Sequence, residues 1–350
     1  MPEQRTGEES PATPTAPQLA VGDPADYVVL FLDFMGQKEH LSRWRECAES
    51  GYPGGQKHSP QTGKTGLDEA VQKSAGVVAA LFKTTRDHFL KGLIYDKLAT
   101  PPDFRLASIQ FSDTVVFYGK MGASGEVGTR GLFLIYSALI AASSVTLNSF
   151  YWDTRVRGAI TIGQAVDGIT EAVNAGETGG TPKNVESAAP DSFFYGPVLE
   201  RAHFSESRVA DYPRVLVDCS VVNYLNGLQL ASPDWPEFDT NYREILEKSL
   251  RLVPGGVDGD EVQGLDGFRV LDWAGRNFFD VANPEMRELF AKQLPGFIQK
   301  TKEAQANAMK LYLQKGDDEQ FRVAGKHARL AHYLEARLPI WAGCQASGDH

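Results

Sequence analysis

Tyr27-Val28-Val29-Leu30-Phe31-Leu32-Asp33-Phe34-Met35-Gly36 is the segment on which the reading of this 350-residue chain turns. Six largely apolar residues run into Asp33, and Gly36 lets the chain turn straight afterwards. The run reads as a buried strand. An ionised carboxylate inside apolar packing is too costly without a partner, which places Asp33 at the strand's exposed end. There it can cap the next helix, or meet a cation, a metal or a hydrogen-bond donor.

Outward from this strand, Leu67–Leu98 repeats apolar residues at helical steps until Pro101-Pro102. Phe104–Gly119 alternates through Ala107, Ile109 and Phe111, then resumes as Val115–Tyr118. It predicts a β-hairpin whose tight turn, Ser112-Asp113-Thr114, carries a second aspartate. Gly131–Phe150 predicts a buried helix, Arg155–Ala165 a β-branched strand, and Gly196–Ala210 a helix opening on Gly-Pro. Short strands are expected at Tyr212–Asp218 and Phe268–Trp273. Two long helices follow from Pro284 to Arg337, broken near Gly316. A strand–helix–strand–strand–helix–strand order is the α+β, ferredoxin-like βαββαβ arrangement, an antiparallel sheet with helices on one face and here a C-terminal helical tail. That topology would bring Asp33 and Asp113 to one patch despite 80 residues between them.

Composition bounds the function. With 42% hydrophobic residues, 23% charged residues and net charge −10, this is an ordinary acidic globular sequence, which argues against nucleic acid or an anionic membrane as partner. Cys47, Cys219 and Cys344 lack metal-ligand spacing, and Met1–Asp26 has no apolar run of signal-peptide type. The expectation is a cytoplasmic protein. Gly63-Lys64-Thr65 fails as a P-loop because His58, not a glycine, stands five residues before Gly63. The expected organisation is a disordered N-terminus over 1–25, a catalytic domain over 26–282 with flexible loops at about 50–66 and 168–192, and a helical extension over 283–350.

Two converging carboxylates repel each other unless a cation neutralises them, and hard divalent ions take carboxylate oxygens while keeping positions open for phosphate. Phe34, Met35 and Gly36 lead into a helix whose first amides can receive phosphate oxygens. Four motifs in one order, Phe31–Gly36, Phe111–Thr114, Arg157–Gly163 and Gly196–Ala202, followed by Tyr212-Pro213-Arg214, resemble the class III nucleotide cyclase catalytic domain. They are most similar to its bacterial antiphage branch, the pyrimidine cyclases that make cyclic UMP or cyclic CMP.

That resemblance implies Asp33 and Asp113 as ligands of two Mn²⁺ or Mg²⁺ ions, with the Phe34 carbonyl as a third ligand. It also implies a homodimer, and attack of the ribose 3′-oxygen of UTP on the α-phosphorus to give cyclic UMP and pyrophosphate. The product would act on a separate effector in antiphage defence. CTP is the alternative substrate, and a catalytically inactive nucleotide-binding sensor the alternative role. The chain departs from adenylate cyclases at Ile109 and Phe193, where that family places its adenine-reading Lys and Asp. Phe111 and Phe193 thus read either as core aromatics or as base-contacting groups. Glu200 and Phe204 stand where the family has Asn and Arg, leaving Arg157 or Arg201 to supply the charge.

Overall fold

The apolar run becomes the middle of β2 (Ala25–Met35), the central strand of an antiparallel sheet. The computed structural model describes residues 19–21, 23–35, 66–93, 106–111, 113–122, 128–152, 154–170, 192–210, 213–231, 240–253, 269–282 and 284–342. Alternate residues of a strand point to opposite faces, and β2 is apolar on both because both are covered. Val28, Leu30, Leu32 and Phe34 join the main core with α1 (Gly66–Leu93) and α2 (Thr129–Ser149). Tyr27, Val29 and Phe31 join a second cluster with Val198 and Ala202 of α3 (Pro197–Phe204).

β3 (Leu106–Phe111) and β4 (Thr114–Gly122) form the expected hairpin, and β5 (Arg155–Thr170) closes the sheet on the other side of β2. The resulting order, β5-β2-β4-β3 with every pair antiparallel, is the ferredoxin-like βαββαβ arrangement. β6 (Ser192–Tyr195) extends β5 antiparallel, and β7 (Val215–Val217) extends it parallel. The 130–152 stretch is long and apolar enough to cross a membrane, but 89% of its most apolar window is buried inside the fold.

Several expectations are corrected. Leu19–Val21, within the segment expected to be disordered, is β1 and pairs with Gly168–Thr170, so β5 runs on into the expected 168–192 loop. A strand edge offering unpaired backbone groups is satisfied by the neighbouring segment. Positions 50–65 and 171–191 of the two expected loops lie outside the described residues. The expected strand at Phe268–Trp273 is reduced to one bridge, Leu216↔Val270, flanked by Leu271 N–H donating to the Val215 carbonyl at 2.8 Å and Val217 N–H to that of Arg269 at 2.9 Å. Helices α4 (Cys219–Ala231) and α5 (Thr240–Leu252) were not anticipated. Their signal was present for α4: Asp218 accepts from Ser220 N–H at 2.8 Å as a cap, and Val221, Val222, Leu225 and Leu228 follow at helical spacing.

After α6 (Arg276–Val281), helices α7 (Pro284–Lys315) and α8 (Asp318–Ala342) form a hairpin that turns at Gly316, whose φ of 66° lies in the left-handed region. This hairpin is no loose tail. Phe290, Phe297, Leu330, Leu334 and Trp341 belong to the same core as β2 and α2. Leu330, Tyr333, Leu334 and Leu338 of α8 pack on their own chain, whereas Leu311 of α7 is exposed.

Candidate active site at the end of strand β2

Register decides which groups meet. Asp33 pairs with Thr114 on β4 and with Arg157 on β5. Asp113 stands one residue before Thr114, and the Phe34 N–H donates to its carbonyl at 3.0 Å. The two aspartates are thus backbone neighbours at one end of adjacent strands. In an antiparallel pair the N–H and C=O of a residue point to the same side, so the Phe34 carbonyl also lies on the Asp113 side of β2. The Phe34 ring is fully buried towards the helices.

Asp33 is itself buried, 8% exposed, and is paired by a cation from the adjacent strand. Arg157 Nε donates to Asp33 Oδ2 at 2.8 Å and lies 2.6 Å from Glu206 Oε1. Glu206, 3% exposed, comes from a π-helical turn, Ser205–Val209, that continues α3 and closes with Ala210 N–H on the Ser205 carbonyl at 2.9 Å. The far end of the same turn is fixed by Arg214, whose Nη2 donates to the Val209 carbonyl at 2.6 Å and whose own carbonyl accepts from Gly158 N–H at 3.0 Å. Gly158, beside Arg157, must be glycine, because a Cβ there would collide with the Phe31 carbonyl oxygen.

Arg157 therefore meets two buried carboxylates, Asp33 and Glu206, beside the turn that carries Asp113, and the buried Arg214 stands at the far end of the Glu206 turn. Among the described residues there is no cluster of three or more His, Cys, Asp or Glu side chains suited to hold a metal. The donor set on offer is two aspartates and a backbone carbonyl, which fits a hard ion that keeps water or phosphate in its remaining positions.

The other sequence candidates are scattered. Met35 is the last residue of β2 and pairs with Arg155, while Gly36 lies outside the described residues. Phe111 ends β3 and is 58% exposed, close in sequence to Asp113. Phe193 pairs with Gly168 at the other end of β5 from Arg157. Ile109, opposite Val116, packs against the second cluster. Arg201 Nη1 lies 3.6 Å from Asp218 Oδ1, at the start of α4 rather than at Asp33. Glu200 and Phe204 are exposed on α3. Glu206 was not among the expected site residues; it lies within the expected Gly196–Ala210 helix, on the face of the buried Val198 and Ala202, where a glutamate at helical spacing signals nothing about a site.

No family model and no curated relative matches this chain. Among solved structures it is similar to the adenylyl cyclase CyaB from P. aeruginosa, at 11% identity over 60% of this chain and 84% of that one, with TM-score 0.37. It is similar to the guanylyl cyclase domain of the RhoGC fusion protein from Blastocladiella emersonii, at 11% identity over 60% and 88%, TM-score 0.37. It is also similar to the guanylate cyclase domain of RhGC from Catenaria anguillulae in complex with GTP, at 12% identity over 59% and 85%, TM-score 0.35. At these scores the likeness assigns neither an activity nor a substrate.

Proposed function

We propose that this chain is a nucleotide cyclase that acts as a homodimer and converts UTP to 3′,5′-cyclic UMP and pyrophosphate. One observation carries the reading: the sheet register makes Asp33 and Asp113 neighbours, with a cation donor, Arg157, across from Asp33. Asp33, Asp113 and the Phe34 carbonyl would hold two Mn²⁺ or Mg²⁺ ions, which when bound supply charge neutralisation for the triphosphate and polarise the 3′-hydroxyl. The remaining work of the chain is positioning. β2 and the β3–β4 turn hold the two carboxylates at fixed spacing, and Arg157 offers positive charge beside them for the charge that develops on the leaving pyrophosphate. Phe111 is exposed at the hairpin end, and in this reading its ring would stack on the base. The apolar Ile109 removes one polar group by which adenine would be read. Pyrimidine choice, antiphage signalling through a separate effector, and a cytoplasmic location rest on the sequence resemblance alone.

A second reading has its own observation. Arg157 is already engaged by two buried carboxylates, and α3 presents Glu200 and Phe204 outward with no arginine in their place. This suits a nucleotide-binding sensor without turnover.

Purified protein incubated with each ribonucleoside triphosphate and Mn²⁺, with products identified by mass, separates the readings. Cyclic UMP is expected; cyclic CMP as main product would move the assignment to cytidylate cyclase. No cyclic product from any triphosphate would leave the sensor. Cyclic AMP would overturn the argument from Ile109 and Phe193.

A further inference from the structure

Arg157 Nε carries one proton and faces two acceptors, Asp33 Oδ2 at 2.8 Å and Glu206 Oε1 at 2.6 Å. The hydrogen bond is made to Asp33, and Glu206 stands at contact distance as the second acceptor. A cation binding at Asp33 would compete with that hydrogen bond, because a carboxylate oxygen given to a metal is a poorer acceptor and the two positive charges repel. Withdrawing a buried guanidinium from its partner normally costs several kcal/mol unless another acceptor takes it up. Here the other acceptor is already in contact, so the transfer needs only a small rotation of the Arg157 side chain. The π-helical turn fixes it there: Arg214 and the Ser205–Ala210 hydrogen bond pin the turn at both ends.

We propose that Glu206 is a positioning residue that receives Arg157 when a divalent cation takes Asp33, so that the guanidinium stays in the site without blocking the metal. The proposal rests on the metal-binding reading of Asp33 given above. It assigns Glu206 no contact with substrate or metal; its effect passes through Arg157.

Mn²⁺ binding without nucleotide, followed by electron paramagnetic resonance, tests this without relying on turnover. Glu206→Gln is expected to weaken Mn²⁺ affinity about tenfold, the scale typical of residues that orient a metal site from behind its ligands. In the Arg157→Lys background, which keeps the charge but lacks Nε, the same exchange should matter about twofold or less, since the shared proton is gone. Equal losses in both backgrounds would mean that Glu206 acts only by its charge and would overturn the proposal. Should Glu206→Gln not fold, Glu206→Asp carries the test: it keeps the charge but withdraws the carboxylate by one methylene, and unchanged affinity would overturn the idea. Asp33→Asn separates this proposal from its premise. Loss of Mn²⁺ binding in Asp33→Asn with none in Glu206→Gln sinks only the role of Glu206. A wild-type protein that binds no Mn²⁺ sinks the metal reading and this proposal together.

Discussion

Asp33 and Arg157 are cross-strand partners of β2 and β5 and also an ion pair, Oδ2 to Nε at 2.8 Å, with both side chains largely buried. Arg157 compensates Asp33 and Glu206 together. Arg157→Gln leaves two buried carboxylates facing each other, and we expect a loss of roughly 3–5 kcal/mol of stability. Chemical denaturation at neutral pH measures it. A loss below about 1 kcal/mol, the range of an exposed ion pair, would rule out the compensation argument.

Asp113→Ala should abolish cyclic-nucleotide formation while leaving the fold intact, since Asp113 sits in a turn and is only half-buried. Product mass and circular dichroism, measured on the same sample, give the two answers. Persisting turnover would mean that the site lies elsewhere.

Asp272 docks the C-terminal helix. Its Oδ1 accepts from Tyr333 Oη at 3.0 Å and Arg337 Nε at 2.8 Å, while Tyr333 Oη accepts from Ala274 N–H at 2.9 Å and Trp341 Nε1 donates to the Ala274 carbonyl at 2.8 Å. Asp272→Ala strands the mostly buried Arg337 guanidinium and should cost about 3 kcal/mol. Limited proteolysis should then cut within α8 faster than in the wild type, because this network ties the helix to the segment ahead of α6.

Burial pushes the Tyr118 hydroxyl up from 10.0 to about 12, and the nearby Asp167 carboxylate adds to the shift; burial likewise pushes Tyr151 and Tyr224 to about 12. A phenol raised in the folded state keeps its proton there after the unfolded chain has lost it. Its stabilising contribution is therefore complete below pH 10 and is lost as pH rises from about 10 to 12. Denaturant midpoints taken at intervals across that range should fall steeply, and Tyr118→Phe should soften the fall.

His327 moves the other way. Burial lowers its pKa from 6.5, helped by the positive charges of Arg155 and Lys326. The unfolded chain then binds more protons, so stability drops as pH falls below about 6.5. His327→Gln should flatten the stability profile between pH 6.5 and 5; an unchanged slope would show that other groups set it.

The sequence by itself determined the elements whose character is local. The period-two alternation of Phe104–Gly119 gave the hairpin, the apolar face of Leu67–Leu98 gave α1, and the Pro284–Arg337 pattern gave α7 and α8, because side-chain spacing mirrors backbone geometry within one element. It also supplied Asp33 and Asp113 as carboxylates near the ends of apolar strands, but not the burial of Asp33, which is 8% exposed and relies on Arg157 for compensation. Tertiary structure alone decided the rest. Which residue of β5 faces Asp33 depends on the register of two strands more than 120 residues apart, which no local period encodes. Glu206 enters the site because its turn, Ser205–Val209, lies beside β5 and brings the carboxylate within 2.6 Å of Arg157 Nε. The pairing of Leu19–Val21 depends on β5 running past Ala165, and the burial of α8 depends on Asp272 meeting Tyr333 and Arg337. Each is a contact between distant segments, fixed by packing and charge compensation in the assembled core.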